Sequence, residues 1–216
     1  EIHGFEVLLR WNNPELGIVP PVEFIPIAEE TGAIISIGTW IFESACRFHK
    51  TLCQKYKKDL IISINVSPQQ LFDTDFVSNI KRVLEITNIN PKLIQIELTE
   101  SVLVKIFENV KGILDDLHKL GITIALDDFG TGYSSLNYLK QFPINCLKID
   151  KTFIDEISSN SRDYAITDSI INLVHSLNII TVAEGVETAN QFSSLDNMNC
   201  DLIQGFLMSK PLHQDM

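Results

Sequence analysis

Basic charge is scarce in this chain. Its 216 residues carry 17 Lys and Arg against 28 Asp and Glu, a formal net charge of −11. A duplex nucleic-acid partner calls for a basic face that displaces counterions. That class is excluded, while a nucleotide held through metal ions is not. Long apolar runs are also missing, since none approaches the ~20 residues a membrane span requires. Glu1–Arg10 has neither the basic start nor the apolar stretch of a secretory leader. Cysteine is sparse, and Cys46, Cys53, Cys146 and Cys200 form no C-x-x-C pair. This argues against a disulfide scaffold and for reduced thiols in a cytoplasmic protein, or in the cytosolic part of a larger, membrane-anchored one. No linker or low-complexity tract divides the chain, so residues 1–216 are expected to form one domain.

What the chain does contain is alternation of strand and helix. β-branched apolar runs occur at Phe5–Leu9, Leu60–Val66, Leu93–Leu98, Ile122–Leu126, Cys146–Ile149, Ile179–Ala183 and Leu202–Phe206. Segments with helical spacing lie between them. Pro20 and Pro21 open one that ends at Gly32, as Pro does in a first helical turn. Trp40–Lys57 and Arg162–Leu177 read as amphipathic helices, and Gly121 sits where a C-terminal cap belongs after Asn109–Leu120. Regular alternation of this kind builds a parallel sheet or a barrel. The runs number seven, one short of a closed (β/α)8 barrel, which has eight strands.

Strand side chains alternate between faces. In Leu60–Val66, Ile62, Ile64 and Val66 oppose Ser63 and Asn65. Ile94, Ile96 and Leu98 oppose Gln95 and Glu97. Ile122, Ile124 and Leu126 oppose Thr123, Ala125 and then Asp127, while Leu147 and Ile149 oppose Lys148 and Asp150. The bulky face is expected to pack under helices, and the other ends in polar or ionisable groups. Ile180 and Val182 share a face with Glu184, and Glu6 shares one with Leu8 and Arg10. Glu6, Asn65, Glu97, Asp127, Asp128, Lys148, Asp150, Glu184 and Gln204 are thereby expected to ring one mouth, mostly at strand C-terminal ends, where parallel α/β folds place their active sites.

So many carboxylates repel one another, and the local cations, Lys148 and Arg10, are too few to balance them. A divalent metal is the natural compensation, and oxygen donors with one Asn select Mg²⁺ or Mn²⁺ over zinc. None of the five histidines (His3, His49, His118, His175, His213) falls in the ring. The neighbours Asp127 and Asp128 can serve two metals, the arrangement that clamps the attacking and leaving oxygens in phosphoester hydrolysis. Lys148 or Glu184 could then orient the attacking water or take its proton. Gly130 and Gly132 make a G-x-G after a strand, but the acidic pair ahead of it is wrong for a pyrophosphate cradle.

These residues resemble the EAL-domain cyclic-di-GMP phosphodiesterases of bacteria. The likeness runs through Glu6-Val-Leu-Leu-Arg10, Asn65-Val-Ser67, Glu97-Leu-Thr-Glu100, Asp127-Asp-Phe-Gly-Thr-Gly132, Lys148-Ile-Asp150, Ala183-Glu-Gly-Val-Glu187 and Gln204-Gly-Phe206, in order and at barrel-unit spacing. It implies a modified TIM-type (β/α)8 barrel whose first strand runs antiparallel, here lacking the N-terminal strand and helix. It implies hydrolysis of cyclic-di-GMP to linear 5′-pGpG with two Mg²⁺ or Mn²⁺ ions, and on coordination grounds Ca²⁺ is expected to inhibit, because its larger, looser shell misplaces the water. By the resemblance Glu6, Asn65, Glu97, Asp127 and Asp128 are metal ligands. Lys148 holds the attacking water, and Glu184 is the essential acid, as base or ligand. Leu8, Arg10, Asp150, Glu187 and Gln204 are substrate-side contacts. Glu100 anchors the loop Phe129–Ser135, which in the family couples dimerisation to activity. A homodimer and an upstream sensor or GGDEF domain are the implied partners. Val7 departs from the family's name motif by replacing its central Ala.

Two other readings compete. A non-catalytic cyclic-di-GMP receptor of the same fold would typically lose acids first, and all are kept here. An enolase-like barrel with a Lys base would carry a separate capping domain, and the adjacent Asp pair fits hydrolysis better.

Overall fold

The computed structural model describes residues 1–100, 102, 107–130, 136–157 and 161–213. The chain divides into two compact units, Glu1–Ile96 with Gly112–Ile122, and Glu97–Lys111 with Thr123–Met216. In chain order the strands are β1 (Gly4–Val7), β2 (Trp11–Asn13), β3 (Gly17–Val19), β4 (Ile61–Asn65), β5 (Ile94–Thr99), β6 (Thr123–Phe129), β7 (Cys146–Ile149), β8 (Ile180–Ala183) and β9 (Leu202–Ile203). Seven of them form one sheet in the order β1-β4-β5-β6-β7-β8-β9. The pairings β1–β4, β6–β7, β7–β8 and β8–β9 are parallel. The order never reverses. A doubly wound open sheet has a switch point where the strand order turns back; a singly wound, barrel-type sheet does not. The antiparallel first strand implied by the family resemblance is not β1, which runs parallel to β4.

The first unit is built on β1, β4 and the start of β5. Its helices are α1 (Pro21–Glu30), α2 (Ala33–Tyr56), α3 (Pro68–Leu71) and α4 (Phe76–Thr87), and the end of α5 (Phe107–Leu120) also belongs to it. Pro21 opens α1 where a missing N–H costs nothing. Gly32, at φ +75°, separates α1 from α2, so the second helix starts earlier than its amphipathic pattern from Trp40 suggests. Ile62, Ile64, Leu71, Ile80, Val83, Ile94 and Ile96 are buried. Full burial of such a side chain contributes about 1.5–3 kcal/mol. After β4, Ser67 caps α3 through a reciprocal box with Gln70. The Gln70 side chain lies on Gly38 of α2, where any Cβ would collide with it.

Two sequence expectations change here. The sequence reads the first strand to Leu9, but β1 ends at Val7, so Leu8 and Arg10 fall beyond the pleat. The hairpin β2–β3 is unforeseen, because three-residue strands are too short to show alternation. Its turn is held by Asn13 Oδ1, which accepts from Glu15 N at 2.8 Å and Leu16 N at 3.0 Å.

The second unit carries the end of β5, then β6, α6 (Leu136–Gln141), β7, a 3₁₀ turn (Lys151–Phe153), α7 (Arg162–Ser176), β8, α8 (Ala189–Asn197) and β9. Ser161 and Thr188 cap α7 and α8, and Thr188 forms a reciprocal box with Gln191. Leu98, Ile124, Leu126, Leu147, Ile149, Ile171 and Val174 are buried. The strand β8, where Ile180 and Val182 share a face with Glu184, covers its other face more fully. There Thr181 and Ala183 are fully buried while Ile180 is 44% exposed. Among the described residues no helix is long and apolar enough to cross a membrane.

Candidate metal centre

The second unit gathers three carboxylates around one buried amine. All four residues of β7 are buried, and Lys148 is 2% exposed. Its Nζ donates to Glu97 Oε2 at 2.9 Å, lies 2.7 Å from Glu184 Oε1 and 3.2 Å from Asp127 Oδ1. These partners come from β5, from the end of β6 and from the residue following β8. Glu184 is set in place by its own N–H, which donates to Ile149 O at 3.0 Å. A buried ammonium is costly without a counter-charge. Here the counter-charges outnumber it.

Asp128 adds to the surplus. Donor atoms of Asp127, Asp128 and Glu184 all lie within 4.8 Å of one another. In a regular strand two consecutive side chains point to opposite faces. The register of β6 on β7 shows how this is overcome, since Leu126 pairs with Leu147 but Phe129 with Ile149, so β6 holds one extra residue. That is a β-bulge, a device that re-aims side chains. Asp128 sits in it at φ +54°, a left-handed conformation that Asp tolerates better than most residues. The bulge thus turns a neighbouring pair of carboxylates toward one point.

Glu97, Asp127 and Glu184 thus place three carboxyl groups against the Lys148 amine, and Asp128 places a fourth beside Asp127 and Glu184. Asp127 Oδ1 is buried and accepts no hydrogen bond; the Lys148 ammonium stands at ion-pair distance without donating to it. A buried carboxylate oxygen without a donor, beside two further acids, is the environment a cation completes. The donors are all oxygens, which suits a hard divalent ion. The surrounding field shows in Cys146, whose thiol is pushed up to about 12, first by burial and then by the charge of Glu97, with Lys148 opposing.

In the first unit, Glu6 and Asn65 meet at the C-terminal ends of β1 and β4, with Asn65 Nδ2 donating to Glu6 Oε1 at 2.7 Å. The parallel register that sets Glu6 beside Ser63 brings them together. Leu8 is 41% exposed, and Arg10 is exposed and donates to Leu9 O at 2.9 Å.

The remaining candidates of the second unit make further contacts. Asp150 caps the 3₁₀ turn, its Oδ1 accepting from Thr152 N at 3.0 Å and Thr152 Oγ1 at 2.5 Å. Glu187 Oε1 accepts from Lys151 Nζ at 2.6 Å. The Gln204 backbone bridges Ala183 O and Val186 N. Glu100 Oε2 accepts from Gly130 N at 3.2 Å. Of the loop this acid is expected to anchor, Thr131–Ser135 lies outside the described residues. Sequence reading missed Lys151 and Gln191, whose partners depend on backbone conformations that no spacing reveals.

Comparison with known proteins places this geometry in context. The sequence profile of the EAL domain matches residues 1–211. The signaling protein YkoW of Bacillus subtilis is 44% identical over 209 residues, which is 97% of this chain and 26% of YkoW. MucR of Pseudomonas aeruginosa, named a bifunctional diguanylate cyclase/cyclic di-GMP phosphodiesterase, is 40% identical over 97% of this chain and 30% of its own length. The chain therefore spans about a quarter to a third of these relatives. The solved PaMucR phosphodiesterase, in complex with c-di-GMP, superposes with a TM-score of 0.91 at 40% identity, covering 97% of this chain and 85% of that one. The fold is thereby α/β of the TIM-barrel type.

Proposed function

The chain belongs to the EAL domain family, and from that premise we propose that it hydrolyses cyclic-di-GMP to linear 5′-pGpG with two divalent cations, Mg²⁺ or Mn²⁺. The whole chain, residues 1–216, acts as one EAL domain in this reading and works as a homodimer. The carrying observation is the gathering of Glu97, Asp127 and Glu184 on the buried Lys148 amine, with the buried Asp127 Oδ1 lacking a hydrogen-bond donor. Relatives named cyclic di-GMP phosphodiesterases support the substrate.

When bound, such cations neutralise phosphodiester charge and make water acidic enough to attack at neutral pH. Glu97, Asp127 and Asp128 would hold them, with Glu6 and Asn65 as further ligands. Lys148 orients the attacking water, its Nζ being fixed by three carboxylates rather than free to rotate. Glu184 takes a proton from that water as the new P–O bond forms and the P–O3′ bond breaks. The 3′ oxygen takes a proton from solvent as it leaves, Glu184 later returns its own to solvent, and the 5′-phosphate stays on the linear product. Leu8, Arg10, Asp150, Glu187 and Gln204 contact the dinucleotide. Ca²⁺, with its larger and looser shell, is an inhibitor.

The test is turnover of cyclic-di-GMP followed by chromatography with Mg²⁺ or Mn²⁺, for the protein and for Asp127→Asn. Conversion to 5′-pGpG that falls by at least about 100-fold in the variant is expected, on the scale of losing a group that stabilises transition-state charge. Binding without turnover would make the protein a receptor and overturn the reading.

A further inference from the structure

The turn after β7 touches the residue next to Glu184 and the residue that follows β6, the strand of Asp127 and Asp128. Lys151 lays its stem across Gly185, the residue next to Glu184. A Cβ at Gly185 would stand 2.5 Å from Lys151 Cγ and 2.6 Å from Cδ, so glycine alone admits this contact. Gly185 also sits at φ +66°, where L side chains are strained. Beyond the stem, Lys151 Nζ reaches Glu187 Oε1 at 2.6 Å and Asp155 Oδ1 at 3.7 Å. Two residues further, the Phe153 ring occupies the space a Cβ would need at Gly130, which stands at φ +100°. Gly130 follows Asp127, Asp128 and Phe129, and its N–H is held by Glu100.

A second tie joins the same segments. Gln191 is 7% exposed and has all of its amide engaged. Its Oε1 accepts from Glu187 N at 2.8 Å and Thr188 N at 2.9 Å. Its Nε2 donates to Ile154 O at 3.1 Å and Asp155 O at 3.4 Å. The loop Glu184–Thr188 is therefore fastened to residues 151–155 by a stem packed on glycine, an ion pair and a buried amide. Asp150 fixes the turn itself through Thr152.

We infer that Lys151 and Phe153 are positioning residues that clamp the Glu184 loop and the end of β6, which carries Asp127 and Asp128, onto one turn, setting the carboxylate geometry on which cation binding depends. The inference rests on the proposed metal-dependent reading of the site. Neither residue is placed against the reacting atoms; both act through the loops they grip. A cluster aimed by a bulge and by positive-φ glycines has little intrinsic stiffness, and a packed support supplies it. Lys151 is 46% exposed at its side chain, so its removal leaves the core intact.

The test compares Lys151→Ala, Lys151→Arg and Phe153→Leu with the unaltered protein. Cyclic-di-GMP turnover is measured alongside Mn²⁺ titration by calorimetry, with thermal midpoints as the check on folding. Lys151→Ala is expected to lower kcat by about 10–100-fold with KM changed little, and to weaken Mn²⁺ binding by about 10-fold, the usual scale for outer supports of metal ligands. Lys151→Arg restores most of both, since its stem and charge serve the same contacts, and Phe153→Leu gives a smaller loss of the same kind. Charge alone predicts the opposite sign, because removing a nearby cation should tighten Mn²⁺ binding. Unchanged or tighter Mn²⁺ binding in Lys151→Ala overturns the clamp. Failure of the unaltered protein to turn over cyclic-di-GMP sinks the functional reading instead, and the Mn²⁺ titration still decides the clamp.

Discussion

Lys148 Nζ and Glu97 Oε2 form a 2.9 Å ion pair in which both side chains are 2% exposed. Removing one partner of such a pair leaves an uncompensated buried charge, which costs about 3–5 kcal/mol. Lys148→Met is therefore expected to destabilise the protein by that order in chelator. Added Mn²⁺ should recover part of the loss, because a cation replaces the missing positive charge. Urea unfolding of the variant with and without Mn²⁺ checks this, and equal stability in both solutions would speak against a cation among these acids.

The bulge at Asp128 separates the backbone's contribution from the carboxylate's. Asp128→Gly relieves the left-handed conformation and should leave stability near that of the unaltered protein while weakening Mn²⁺ binding. Asp128→Val places a β-branched residue at φ +54° and should cost about 1–3 kcal/mol. Thermal unfolding of the two variants in chelator distinguishes them, the valine variant melting lower.

Cation binding should also be visible as stability. A ligand that binds only the folded state at 100 times its Kd contributes about 2.7 kcal/mol. Mn²⁺ should raise the thermal midpoint of the chelator-treated protein, and Asp127→Asn should abolish most of the rise. A midpoint indifferent to Mn²⁺ would contradict the site.

Acid stability points to another carboxylate. Burial works to raise the Asp201 pKa, but hydrogen bonds from Thr181 and His175 outweigh it and hold the carboxyl below its ordinary 3.8. Oδ2 accepts from Thr181 N, Thr181 Oγ1 and His175 Nε2, each at 2.8 Å. A depressed folded-state pKa means the unfolded chain binds the proton more readily. Stability from this network is present above 3.8 and is lost as pH falls through the lower folded value. Asp201→Asn should flatten that part of the pH–stability curve measured by urea unfolding.

Much of this architecture is legible in residue patterns because strand burial writes itself as alternation. The acids at Glu97 and Asp127 and the amine at Lys148 interrupt otherwise apolar strands, and a buried charge in such a place needs partners. Other features are written in backbone geometry instead. Asp127 and Asp128 converge only because β6 holds an extra residue against β7, and a two-residue spacing rule would send them apart. Lys151 looks like any surface lysine until Gly185 is seen beneath its stem. β2 and β3 are too short to carry a period, and Arg10 lies beyond the end of β1 because the pleat stops at Val7.

The most direct measurement of the central claim is anomalous scattering from crystals of the protein soaked with Mn²⁺. The account predicts at least one peak at coordination distance, about 2.0–2.2 Å, from an Asp127 carboxylate oxygen, with Asp128 or Glu97 as a further ligand. A structure with no peak near Asp127, and with the Lys148 amine still seated among these acids, would contradict it.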